Sequence, residues 1–96
     1  MLVPLSTTSK PLSDLLTAAQ AAQVAASVQK QDGRYFVTID NPSAIIVYLE
    51  IGAVATAAAS KAIPVTTGTF SFVTDNLSKV NLIAASGTPN VVVTVS

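Results

Sequence analysis

The sequence lacks cysteine and histidine entirely. Without cysteine, neither a disulfide nor a thiolate zinc site can form. Without histidine, the commonest general base and transition-metal ligand are missing. These two absences exclude most hydrolase mechanisms, and they leave the core to hold without covalent cross-links.

Charge is scarce as well. Charged residues make up 10% of the chain, against about 25% in ordinary soluble domains. The five basic and five acidic residues are scattered singly and cancel in number. The sequence has no cluster of basic residues that could bind along a phosphate backbone, so we expect no nucleic-acid partner. A near-neutral surface also lacks the repulsion that keeps molecules apart, which favours an assembly subunit.

Long apolar runs are missing too. The uncharged stretches from 15 to 29 and from 80 onward are both interrupted by polar residues. Neither offers the roughly 20 apolar residues that a membrane-spanning helix requires. Residues 1–10 have no basic region ahead of an apolar run, unlike a secretory signal. We therefore expect no membrane partner.

The remaining candidates for chemistry are carboxylates. Asp40 and Glu50 both lie on predicted strands, as the acid pair of a glycosidase could. The strand pattern turns both outward, however, and no tryptophan is present to stack on a sugar. The Asp-Asn pairs at 40–41 and 75–76 suit turns better than a calcium site. We expect no catalytic residue, no cofactor-binding residue and no metal site, so the chain is not an enzyme.

The abundant pattern is that of β-strands. Segments rich in β-branched and aromatic residues alternate with turn signals. They predict an all-β fold, an antiparallel β-sandwich or small barrel of roughly six to seven strands with an N-terminal arm, with or without a short helix. The predicted strands span about 22–30, 34–40, 44–51, 69–74, 80–86 and 91–95, and a weaker one spans 54–59.

Turn signals indicate how these strands connect. The Asp-Gly pair at 32–33 predicts a hairpin between the first two strands, Gly-Ala at 52–53 predicts a second, and residues 87–90 have the length of a third. Asn-Pro-Ser at 41–43 predicts a turn, because proline fixes φ and asparagine can hydrogen-bond locally. Both phenylalanines of the 69–74 strand share one face and are predicted core residues.

The first third of the chain is open to two interpretations. Leucines and alanines between 12 and 22 mark one helical face, and alanine favours a helix. The hairpin at 32–33 instead requires an extended chain up to about residue 30. We predict an N-terminal arm over 1–20, partly helical, followed by a β-sandwich domain over 21–96.

Apolar residues on outward faces predict a subunit interface. Strand alternation turns several of them toward solvent, unless both faces of each sheet are buried within one sandwich. The N-terminal arm is apolar and has no partner in the pattern, so it either docks on another subunit or is a disordered tail. The predicted interface residues are Leu2, Val3, Leu5, Phe36, Ile46 and Tyr48.

The order of these segments resembles the small β-sandwich virion proteins of tailed bacteriophages. The similar parts are an alanine-rich segment at 18–24, Asn-Pro-Ser at 41–43 and an apolar strand ending in glycine at 45–52. They continue with an Ile-Pro-Val-Thr-Thr-Gly turn at 63–68 and a final segment at 82–91 that is followed by valines. The resemblance covers about 18–96. It rests on strand and turn patterns and includes no chemical motif.

This resemblance implies a non-enzymatic capsid decoration or cement subunit that bridges and stabilises neighbouring capsid proteins. Its partners would be itself, as a homotrimer, and the major capsid protein or another virion protein. It would lie on the capsid surface of the virion after assembly in the host cytoplasm. The 1–5 arm would dock on one capsid subunit while the sandwich rests on another. The alternatives are a receptor- or glycan-binding spike module and a neck or tail adaptor.

Overall fold

The computed structural model describes residues 1–27, 34–56, 60–63 and 68–95. The strands are β1 (Leu2–Pro4), β2 (Lys10–Pro11), β3 (Tyr35–Asn41), β4 (Val47–Ile51), β5 (Lys61–Ile63), β6 (Gly68–Thr74), β7 (Val80–Ala84) and β8 (Asn90–Val95). The helices are α1 (Leu12–Leu15), α2 (Ala18–Ser27) and a 3-10 turn (Leu77–Lys79). Sheet A has the order β1-β8-β3-β6, and sheet B has the order β2-β7-β4-β5.

The predicted all-β architecture is confirmed in outline, because two antiparallel sheets enclose one apolar core, as in a β-sandwich. The predicted strand count is wrong. The described part of the chain has eight strands. Two of the additional strands, β1 and β2, come from the segment predicted to be an arm. The predicted strand at 54–59 is not seen over 54–56, and β5 begins later, at Lys61.

The core follows from the period of two in the central strands. In β3, Val37 and Ile39 are buried between exposed or half-buried neighbours, as the alternation predicts. β7 alternates in the same way. Phe72 is buried and stacks on the half-buried Phe70, with ring centroids 5.7 Å apart. The fully buried large side chains are Val3, Leu12, Val37, Ile39, Val47, Ile63, Val80, Leu82, Val91 and Val93.

Most connections cross between the sheets. Among consecutive strands, only β4 and β5 pair with each other. The predicted hairpin at 87–90 is therefore wrong. This segment leads from β7 in sheet B to β8 in sheet A, and the two strands that pair with β8 are β1 and β3. The two-residue hairpin at 52–53 is also wrong, since the β4–β5 connection is longer. The 32–33 hairpin lies outside the described residues.

The N-terminal segment is part of the sandwich and not a separate arm. β1 pairs with β8, and the backbone of Met1 exchanges hydrogen bonds of 2.8 and 2.7 Å with Val93. Val3 and Leu5 are buried in the core, and the Leu5 amide donates to the Pro89 carbonyl at 2.8 Å. Burying these side chains is favourable by about 1.5–3 kcal/mol each. The segment predicted as an arm over 1–20 therefore contributes two strands and core side chains to the sandwich.

The predicted strand at 22–30 is wrong over its described part, because α2 occupies 18–27. Thr17 and Gln20 begin this helix with a reciprocal capping box. The backbone N–H of Gln20 donates to Thr17 Oγ1 at 3.1 Å, and the backbone N–H of Thr17 donates to Gln20 Oε1 at 2.9 Å. The alanines that follow favour the helix. Leu16 and Val24 attach the helical segment to the core.

A buried asparagine stands where the chain passes from sheet A to sheet B. Asn41, the last residue of β3, is fully buried, and its Nδ2 donates to the carbonyls of Ile45 at 2.8 Å and Ile63 at 3.3 Å. Its Oδ1 accepts from the Ser43 amide at 3.2 Å and from the Ser43 hydroxyl at 2.6 Å. The predicted turn is confirmed as a bend at 43–45. This bend delays the start of β4 to Val47.

Replacing Leu5 by alanine should lower the free energy of unfolding by about 2–5 kcal/mol, because a buried leucine leaves a cavity in the core. The Leu2→Ala control should cost about 1 kcal/mol or less, since Leu2, in the same N-terminal segment, is 57% exposed. Urea denaturation followed by circular dichroism measures both. Equal effects would mean that the N-terminal segment does not pack as described.

Replacing Asn41 by leucine should cost about 3 kcal/mol. The substitution removes the Asn41 side chain as the partner of the Ser43 amide and the Ile63 carbonyl, and each buried unsatisfied group costs about 1–3 kcal/mol. The Ile45 carbonyl keeps its 3.0 Å hydrogen bond from the Ser43 hydroxyl. Asp40→Asn, at the exposed neighbouring position, is the control and should change stability by about 0.5 kcal/mol or less. Thermal unfolding compares the two variants. A stable Asn41→Leu protein would contradict the role given to this side chain.

Candidate functional site

The carboxylates of Asp40 and Glu50, the candidate acid pair, do not lie close together. Asp40 points outward from sheet A, where it accepts a 3.3 Å hydrogen bond from Thr69 Oγ1. Glu50 lies on the outward side of β4 in sheet B, next to the inward-facing Leu49. Packed sheets are about 10 Å apart, so these two residues do not share a cleft. Among the described residues, no three His, Cys, Asp or Glu side chains are grouped to hold a metal ion.

The Asp-Asn pair at 75–76, weighed above as a calcium ligand pair, acts in a turn. Asn76 Oδ1 accepts from the Ser78 amide at 2.9 Å and caps the 3-10 turn. Both Asp75 oxygens lie 3.1–3.2 Å from Lys79 Nζ, in an exposed ion pair. Together with Arg34, these charges border a groove at one end of the sandwich that is also lined by Ile51 and Val73.

The six predicted interface residues fall into three groups. Val3 and Leu5 are in the core, so their prediction as interface residues is wrong for this fold. Leu2 is exposed at the edge of sheet A. Phe36 lies on the outer face of sheet A, whereas Tyr48 lies on the outer face of sheet B and Ile46 immediately precedes its strand β4. Of the predicted residues, the structure therefore brings together only Ile46 and Tyr48.

On the outer face of sheet A, two exposed apolar side chains form a cross-strand pair. Phe36 in β3 stands directly opposite Val73 in β6. Their side chains are 49% and 50% exposed. We call this pair the A patch. Alternation along β3 and β6 predicts it, because both residues fall between inward-facing neighbours.

On sheet B, the outer apolar surface centres on Tyr48. Its register partners are Ile83 in β7 and Ala62 in β5. Ile46, which immediately precedes β4, is 40% exposed. We call Ile46, Tyr48 and Ile83 the B patch. The A and B patches face away from each other, because they lie on the outer sides of opposite sheets.

The edges of the two sheets differ in how well they are protected. β1 contains Pro4, and the Leu2 carbonyl in β1 accepts a 3.1 Å hydrogen bond from Gln20 Nε2 of α2. β2 is the two-residue strand Lys10–Pro11, and β5 has three residues and starts with Lys61. Short length, proline and lysine are devices that prevent edge-to-edge pairing.

The fourth edge has none of these devices within its own strand, and the nearby charge is that of Lys61 in β5, whose Nζ lies 5.6 Å from the centroid of the Phe70 ring. β6 is seven residues long, Gly-Thr-Phe-Ser-Phe-Val-Thr, without charge or proline. Among the described strands, it pairs only with β3. The composition of 68–74 predicts a strand. Its position at the edge does not follow from the sequence, because strand order depends on pairing between distant segments.

No family model, curated protein or solved structure matches this chain. Within the described residues, no helix is long and apolar enough to cross a membrane.

Proposed function

We propose that this chain is a non-enzymatic structural subunit of a tailed-phage virion, most specifically a capsid decoration or cement subunit. One observation carries the proposal: the module exposes apolar patches on opposite outer faces. The A patch and the B patch point in opposite directions, so one copy can contact two neighbours at once. Large exposed apolar side chains next to each other typically mark protein contacts.

The geometry changes how bridging would work. The N-terminal segment is not available for docking, because Val3 and Leu5 hold it in the core. The A patch and the B patch then contact two neighbouring capsid subunits, and the sandwich between the patches links those subunits. A module that binds only the assembled shell stabilises that shell by mass action. Net charge of zero supports close association, since no long-range repulsion opposes it.

The phage assignment is supported by the sequence resemblance over 18–96, and the non-enzymatic role by the separation of Asp40 from Glu50. A receptor- or glycan-binding spike module and a neck or tail adaptor are the alternative virion roles. Copy number separates these roles, because a decoration subunit covers the whole shell whereas a spike or adaptor occupies a few positions.

Quantitative mass spectrometry of purified particles should find hundreds of copies of this chain for each particle, as expected of a shell component. Phe36→Asp and Ile46→Asp should each reduce occupancy at least about tenfold, because each places a charge in one patch and bridging needs both. Thr94→Asp is the control, since Thr94 is exposed on sheet A outside the A patch.

A few to a few tens of copies would favour a spike or adaptor over a decoration subunit. Absence from particles would contradict the virion role altogether. Equal occupancy of the Phe36, Ile46 and Thr94 variants would contradict the bridging mechanism even for an abundant particle protein.

A further inference from the structure

The open edge of sheet A has backbone groups directed away from the sheet. In an antiparallel strand, the N–H and C=O groups of alternate residues point to opposite sides. β3 takes one side of β6 along all seven residues. Among the described strands, none takes the other side. An uncharged strand of this length is a template for another extended segment.

We propose that this edge pairs with the same edge of a second copy of the chain, antiparallel, around a two-fold axis at Ser71. Two four-stranded A sheets would then form one continuous sheet of eight strands. This pairing deepens the proposed structural role by naming the partner and surface for self-association.

The strand is self-complementary in this register. With Ser71 opposite Ser71, Thr69 faces Val73 and Phe70 faces Phe72 in both directions. The strand contains no charged residue, so no like charges are opposed at the axis. The exposed Val73 belongs to the A patch, so the apolar surface around Phe36 continues to the junction.

The geometry favours a dimer over the homotrimer expected from the resemblance. A strand that pairs with its own copy makes an isologous contact, which closes with two subunits. A trimer built through sheet A requires β6 to pair with a different edge of the next copy. The other edge of that sheet, β1, has only three residues, contains Pro4 and is bonded to Gln20.

The row of side chains across sheet A offers a matched test. Thr94, Thr38 and Ser71 are neighbours in register on β8, β3 and β6. Ser71 and Thr94 are both exposed, but only Ser71 lies on the open edge. In sedimentation equilibrium, the wild-type chain should be a dimer. Ser71→Lys should raise the dissociation constant at least about tenfold by opposing two lysines, whereas Thr94→Lys should not.

A second pair of variants keeps the test decisive if the lysine disturbs folding. The chain has no cysteine, so Ser71→Cys under mild oxidation with oxidised glutathione should give a disulfide-linked dimer, while Thr94→Cys should remain largely uncross-linked. A wild-type monomer or trimer, or equal cross-linking of both cysteine variants, would overturn the pairing. Particle copy number is a separate readout, so failure of the virion role leaves this result intact.

Discussion

The two-sheet arrangement depends on the buried side chain of Asn41. A fully buried amide is tolerated only when its donors and acceptor are bonded. Its partners belong to the bend after β3, the approach to β4 and the last residue of β5. These bonds hold together the places where the chain leaves sheet A and where β5 ends in sheet B. Consequently β4 follows β3 in sequence without pairing to it.

This crossover determines which strand becomes the open edge. Because β4 enters sheet B, one side of β3 is left for β6, which occupies it in full register. The other side is occupied by β8, and β1 then closes sheet A with the help of Gln20. Among the described strands, sheet A is therefore protected at one edge and unpaired at the other. The same asymmetry directs the proposed self-association to β6.

Local sequence patterns predict the inward and outward faces of the strands. They do not predict which strands pair, because the partners lie far apart in the sequence. Alternation placed Val37 inside and Phe36 outside correctly, because a period of two is a property of each strand alone. The leucines and alanines between 12 and 22 predict helix only to about residue 20, because the Asp-Gly pair at 32–33 favours an extended chain after it; the helix continues to Ser27 from a capping box formed by Thr17 and Gln20. The role of Val3 could not be predicted, because its partner strand is at the other end of the chain.

Amide hydrogen exchange of β6, measured by NMR over a range of protein concentrations, tests the open-edge account most directly. At low concentration, alternate amides between Gly68 and Thr74 should exchange rapidly, and their protection should rise as the dimer forms. Amides of β8, which has a strand on both sides, should be protected throughout. Protection of β6 that is complete and independent of concentration would contradict the open edge and the pairing built on it.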